Sequence, residues 1–154
     1  MSDIETRLAS MGITLPQAPA PAANYVPFVM VETMLHISGQ ISMDANGLIL
    51  GRLGDTFTTT QGAQAAKACA ISLLAQLHSA CEGDFSRVKR AVKLVGFVNS
   101  TPDFIEQPKV INGASDFLVE AMGPAGRHAR SAVSAASLPF GVAVEIEGLF
   151  ELHS

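Results

Sequence analysis

Two periodicities alternate along this chain. Residues 26–31 (VPFVMV) and 34–38 (MLHIS) are short apolar runs rich in β-branched and aromatic side chains, and they read as two strands joined by a tight turn at Glu32-Thr33. The first run is apolar at successive positions, whereas an antiparallel strand with one solvated face alternates. Its second face is therefore expected to be covered, by more sheet or by another subunit. Pro27 belongs at a strand start or an edge. Over residues 60–82 the period changes: Ala63, Ala66, Ala70, Leu73, Leu74 and Leu77 recur at three- and four-residue steps. The stripe is narrow and alanine-rich, which predicts a helix lying close against a sheet. Residues 91–98 (AVKLVGFV) read as a buried strand, and 129–136 and 142–152 as two more around Ser137-Leu138-Pro139-Phe140-Gly141. In the last strand Val142, Val144, Ile146, Gly148 and Phe150 point one way and Glu145, Glu147, Leu149 and Glu151 the other.

Turn and cap signals divide these runs. Residues 3–10 predict a short helix capped by Ser2 or Asp3 and closed by Gly12; residues 16–23 (PQAPAPAA) predict an extended lead-in. Asp44-Ala45-Asn46-Gly47 marks a turn between short strand fragments, and Gly83-Asp84 ends the long helix. Thr101 is the expected N-cap of a second helix, with Pro102 at its first position and Pro108 disturbing its first turn; the helix runs to about Met122, where Gly123-Pro124 stops it. The order ββ(β)αβαββ, with two main helices on one face of a mixed sheet, is an α+β two-layer sandwich. Only a loose β-then-α recurrence links the two halves.

Composition narrows the function. The 154 residues suffice for one domain, and 16% charged residues is low against the about 25% of typical globular domains. A formal charge of −4 without a basic patch removes the main driving force for duplex DNA binding. Cys69 and Cys81 fall in or at the end of an apolar helical pattern, with no CxxC pair, and are expected to be buried free thiols. The four histidines (His36, His78, His128, His153) show no metal-ligand spacing, so no metal is expected. The first residues lack a signal-peptide pattern and no apolar run reaches the roughly 18 residues of a membrane span, which makes the cytoplasm the expected location.

Candidate chemistry lies near the C-terminus. With a hairpin turn centred near Leu138-Pro139, Arg130 would pair across from Glu147 and have Glu145 as its diagonal neighbour on the same sheet face. The plain reading is a cross-strand surface ion pair. Three features favour more: the small neighbours Ala129, Ser131, Ala132 and Ser134 leave a concavity beside the arginine, a guanidinium fork suits a planar carboxylate, and an acidic chain with few cations places one on a strand face.

These residues carry a resemblance. Arg127-His128-Ala129-Arg130-Ser131-Ala132-Val133, then Leu138-Pro139, then Val144-Glu145-Ile146-Glu147 resembles the C-terminal signature of the RidA/YjgF family, also known as L-PSP endoribonuclease-like. Upstream, His36-Ile37-Ser38-Gly39-Gln40-Ile41 is similar to its Ser-Gly-Gln motif, Tyr25 to its tyrosine before the first strand, and Asn112 to its second-helix asparagine. The likeness covers about residues 20–152. It makes the chain a single YjgF-like domain over 1–154, with residues 1–23 an N-terminal extension beyond the family's usual start, the mark of a divergent subgroup. Ala132 stands where the family often has cysteine, and His128 where it often has proline.

The resemblance implies a chorismate-mutase-like fold assembled as a homotrimer with clefts between subunits. It implies hydrolysis of reactive enamine or imine acids such as 2-aminoacrylate to 2-keto acids and ammonia, without metal or organic cofactor. In that reading Arg130 holds the substrate carboxylate, Glu145 orients or deprotonates water, and Tyr25 donates a hydrogen bond. Ser38, the Gly39 backbone and the backbone around Ala132 line the pocket, and Asn112 braces it. Two rivals stand beside it. One is a trimer that binds small carboxylates or ketoacids without turnover. The other is an endoribonuclease, disfavoured by net acidity, a single tyrosine and no tryptophan.

Overall fold

The computed structural model describes residues 2–21 and 23–154; Met1 and Ala22, the latter within the expected extended lead-in, lie outside them. Helix α1 (Asp3–Ser10) is opened by a capping box, in which the Ser2 hydroxyl accepts from the Glu5 amide and the Glu5 carboxylate accepts from the Ser2 amide. Strands β1 (Phe28–Val31) and β2 (Met34–Ile41) form the first antiparallel pair. Strands β3 (Met43–Asp44) and β4 (Gly47–Leu48) make a small separate hairpin around the turn expected there. Helix α2 (Thr59–Ala80) is followed by β5 (Val88–Asn99), α3 (Gln107–Met122), β6 (Ala129–Ala135) and β7 (Val144–Leu152).

The main sheet has the order β1-β2-β7-β5-β6. This corrects the hairpin reading: β6 and β7 are not neighbours. β6 pairs parallel to β5, and β7 lies antiparallel between β5 and β2. The cause is α3, which carries the chain from β5 to β6 as a helical crossover, the connection a parallel pair requires. The following loop then passes beyond β5 and delivers β7 to the centre. The chain is an α+β two-layer sandwich, with α2 and α3 packed on one face of the mixed sheet.

The start of α3 also departs from expectation. Thr101 caps no helix; its carbonyl accepts from the Phe104 amide, which makes Thr101–Phe104 a turn with Pro102 in its second position. The helix begins later, at Gln107, so Pro108 sits in the first turn where no backbone N–H is needed and causes no irregularity.

The core is built from small residues on α2. Ala65, Ala66, Cys69, Ala70, Leu73, Leu74 and Leu77 are fully buried against β7 and α3. Where the helices cross, a Cβ on Gly113 would collide with the Ala63 carbonyl, so the close approach depends on glycine there. Ile4 and Leu8 of α1 join the same core, which ties the N-terminal segment to the domain. Both cysteines are buried and free. On the face opposite the helices, Val29 and Val31 of β1 and Val133 of β6 remain exposed.

Candidate active site

The site residues named from sequence fall into two groups. The first surrounds a break in β2. Its register with β7 shifts between Ile37 and Gln40, so Ser38 and Gly39 bulge out of the ladder. The bulge faces Glu145, which pairs with Ile41. A Cβ on Gly39 would lie 2.5 Å from Glu145 Oε2, so glycine is what admits the carboxylate here. The Ser38 hydroxyl donates to the Val26 carbonyl at 2.8 Å and its amide to the Pro27 carbonyl at 2.9 Å, which fixes the bulge to the segment after Tyr25. Tyr25 is half exposed, on the rim of a cavity of about 590 Å³ that also contains Ser38, Gly39 and Glu145. Partial burial, and secondarily the neighbouring Glu147 carboxylate, hold the Glu145 carboxyl above the ordinary range.

Two buried glutamines fasten the cavity wall. The Gln40 amide donates to the Ser38 carbonyl at 2.8 Å. Gln76, on α2 and only 1% exposed, donates to the Pro19 carbonyl at 2.7 Å and to Gln40 Oε1 at 3.4 Å. The segment 13–21 is thereby pinned across the helix and over the cleft. Sequence reasoning passed over Gln76; its signal is a polar residue flanked by Ala75 and Leu77 inside an otherwise apolar helical stretch.

The second group lies at the β6 edge. Arg130 is in register with Leu94 and, through it, Gly148, on the helix-covered face. Glu145 is in register with Phe97 and Val133, on the other face. The expected diagonal contact between Arg130 and Glu145 within one chain is therefore absent. No ion pair involves either residue among the described residues, so the plain cross-strand pair with Glu147 is absent too. The Arg130 guanidinium instead reaches α3, donating from Nη1 to Ser115 Oγ at 3.0 Å and from Nη2 to the Pro108 carbonyl at 3.1 Å. Asn112 lies exposed on the same ridge of α3, one turn after Pro108 and one before Ser115. Ala132, two residues along β6, packs half-buried against the core.

Ser115 was not visible from sequence, and His128 only as a departure from the family pattern. His128 Nδ1 lies 2.6 Å from the Gly126 carbonyl, which only accepts, so Nδ1 carries the proton. In the neutral ring Nε2 then accepts from Ser115 Oγ at 2.9 Å, and that oxygen accepts from Arg130. The chain Gly126–His128–Ser115–Arg130 orients the guanidinium while using only part of its donor set. Among the described residues, no group of three or more His, Cys, Asp or Glu side chains is placed to hold a metal ion.

Residues 5–151 match the family described as "YjgF/chorismate mutase-like, putative endoribonuclease". The chain belongs to the YjgF/RidA family. Its relatives within that family include protein TCP17 of Trypanosoma cruzi, 49% identical over 153 residues, covering 98% of this chain and 95% of that protein. A solved Agrobacterium tumefaciens protein of unknown function superposes with a TM-score of 0.91 at 44% identity, covering 98% of this chain and 93% of the other. A Shewanella oneidensis protein named as a "putative endoribonuclease" superposes at 0.92 with 35% identity, covering 97% and 99%. No helix among the described residues is long and apolar enough to cross a membrane.

Proposed function

We propose that this protein hydrolyses reactive imines of α-amino acids, 2-aminoacrylate and its tautomer among them, to 2-keto acids and ammonia, at clefts shared between copies of the chain in a homotrimer. The observation that carries the reading is Glu145: a half-buried carboxyl, held above its ordinary range, against a glycine bulge in a cavity of about 590 Å³. Such a group suits proton transfer to and from water.

The chemistry is light. The imine carbon is already electrophilic. Glu145 takes a proton from water as the oxygen bonds to that carbon, giving a tetrahedral amino alcohol. Glu145 gives that proton to the nitrogen, then takes the hydroxyl proton of the adduct and passes it to the amino group, so that the C–N bond breaks and ammonia leaves as the C=O forms. Tyr25 and Ser38 lie within the same cavity to hold the adduct. The substrate carboxylate needs a cation, and among the described residues none lines the cleft of one chain. Arg130 of a second copy supplies it, presented at an edge strand and already oriented by Ser115 and Pro108. The exposed valines of the open sheet face fit burial between copies. Two buried free thiols suit a reducing compartment, the cytoplasm.

The test is ammonia release from enzymatically generated 2-aminoacrylate, with the wild type and Arg130→Ala in parallel. The wild type is expected to accelerate release. Arg130→Ala is expected to lose about 2–5 kcal/mol of that stabilisation, as when one partner of a desolvated charge pair is removed. An Arg130→Ala protein as fast as the wild type overturns the assignment. Tight binding of ketoacids with no acceleration would leave a carboxylate-binding trimer instead.

A further inference from the structure

Away from the cleft, a cluster of polar side chains joins α3, the turn 123–126 that follows it and the start of β6. His128 stands just before β6, half-buried, with both ring nitrogens engaged. Nδ1 lies 2.6 Å from the Gly126 carbonyl and Nε2 lies 2.9 Å from Ser115 Oγ. The backbone leading into the ring is held as well. Gly126 is buried at the end of its turn, and the Arg127 carbonyl accepts from Arg90 Nη2 of β5 at 3.2 Å. His128 is thereby fixed from both sides, by the turn after α3 and by the sheet.

Counting hydrogens gives the cluster a direction. A carbonyl only accepts, so Nδ1 carries the proton and Nε2 of the neutral ring is left as an acceptor. Ser115 has one hydroxyl hydrogen, and Nε2 takes it. A lone pair of the same oxygen is then turned to Arg130 Nη1 at 3.0 Å, while Nη2 is tied to the Pro108 carbonyl at 3.1 Å. Without an acceptor on the ring, the Ser115 hydroxyl can rotate and turn its hydrogen toward the guanidinium, which has no lone pair to receive it. A serine beside an oriented imidazole is also the layout of a nucleophile and its base. Here the oxygen accepts a charge-assisted hydrogen bond, which draws electron density from the atom that would attack. The geometry favours orientation over attack.

Resting on the reading above, in which Arg130 receives the substrate carboxylate, we propose that His128 is a positioning residue. Locked in one tautomer by the Gly126 carbonyl, it sets the direction of the Ser115 hydroxyl and, through that hydroxyl, the plane of the guanidinium offered to the carboxylate. His128 touches no substrate. Its effect is on how well the carboxylate is gripped, and the bond-making steps beside Glu145 do not depend on it.

The experiment compares full-length wild type with His128→Asn, His128→Gln, Ser115→Ala and the double variant Ser115→Ala/His128→Asn. Asparagine sets an amide N–H near the place of Nδ1 and keeps the contact with Gly126; glutamine sets its amide oxygen near the place of Nε2 and keeps an acceptor for Ser115. The readouts are kcat and KM for ammonia release from enzymatically generated 2-aminoacrylate, and Kd for 2-ketobutyrate by calorimetry. His128→Asn is expected to raise KM and Kd about three- to tenfold with kcat within about twofold, the scale of one neutral hydrogen bond. His128→Gln is expected to recover most of that loss. The double variant should match Ser115→Ala alone, because His128 acts only through Ser115. A role confined to holding the 123–126 turn gives the reverse order, with asparagine like the wild type and glutamine impaired, and that result overturns the proposal. An additional loss in the double variant overturns it too, as does covalent labelling of wild-type Ser115 by a fluorophosphonate. Ring-nitrogen chemical shifts of His128 in the wild type, measured by NMR, should report the Nδ1–H tautomer; the Nε2–H tautomer sinks the proposal even where a variant fails to fold. If the wild type neither accelerates ammonia release nor binds 2-ketobutyrate, the deaminase reading itself falls, and this proposal with it.

Discussion

Arg130 and Glu145 project from opposite faces of one sheet, with β5 between their strands. The odd spacing from Leu94 to Phe97 along β5 fixes this, because the first is in register with Arg130 and the second with Glu145. A single copy cannot close them on one substrate. Two copies can, if the β6 edge of one meets the open cleft of the next.

That arrangement makes a complementation experiment decisive. Arg130→Ala and Glu145→Gln are each expected to be nearly inactive alone. Co-refolded in equal amounts, they should recover about one quarter of wild-type activity per site, since random mixing in a ring of heterologous contacts gives that share of intact sites. No recovery in a well-formed mixed trimer would place both residues in the same copy's site or outside it altogether.

In the proposed reaction Glu145 is expected to set the acidic limb of the pH profile. Its carboxyl titrates above the ordinary value of 4.5, first through burial and then through Glu147. The base form therefore develops only as pH rises past that raised value, and kcat/KM should fall on acidification from a higher pH than an exposed glutamate would give. Stability has the opposite sense. The folded chain binds the proton more tightly than the unfolded chain, so this group's contribution to stability is largest at low pH and declines as pH rises through the raised value. Glu145→Gln should raise the melting temperature at neutral pH, with the difference from wild type vanishing below about 4.5, where both states are protonated.

In the proposed site Ser115 serves substrate through Arg130, to which it is hydrogen-bonded, rather than by direct contact. Ser115→Ala removes one neutral hydrogen bond to the guanidinium, worth about 0.5–1.5 kcal/mol. The expected result is a several-fold rise in KM for carboxylate-bearing imines with little change in kcat. Ser115→Thr, which keeps the hydroxyl, should restore KM. A mere packing role would leave KM unmoved in both variants once folding is checked by circular dichroism.

Gly39→Ala tests the bulge. The added Cβ would fall 2.5 Å from Glu145 Oε2, and overpacking of this kind costs about 1–3 kcal/mol. Because the crowded atom is the carboxylate itself, activity should fall further than the loss in melting temperature accounts for. Paired with Glu145→Ala, the substitution should recover the lost stability but not the activity.

Local pattern made much of this molecule legible. Alternation along 142–152 put Glu145 and Glu147 on the open face, and the alanine stripe of 60–82 placed the long helix against the sheet. Cap chemistry put the start of α1 at Ser2 or Asp3, and the structure uses Ser2. What failed was non-local. Nothing in 129–152 by itself tells a hairpin from two strands separated by a third; only the helix between β5 and β6 does, and it argues for parallel pairing. The same error put Arg130 on the wrong face. Thr101-Pro102 has the residues of both a helix start and a turn, and the turn prevails because Pro108 offers a better-placed first turn further on. Gln76 and Pro19 lie 57 residues apart, and no local pattern relates them.

The segment from Gly12 to Pro21 forms no strand or helix, yet its last residues, Pro19 to Pro21, line the cleft. Its attachments are a backbone carbonyl at Pro19 and the packing of Ile13 and Leu15, so side chains at the intervening positions carry little of the architecture. Ala20 and Pro21, just past the Pro19 fastening, line the cleft, so substitution there can reshape its wall while the sheet, the helices and the residues around Glu145 stay as they were.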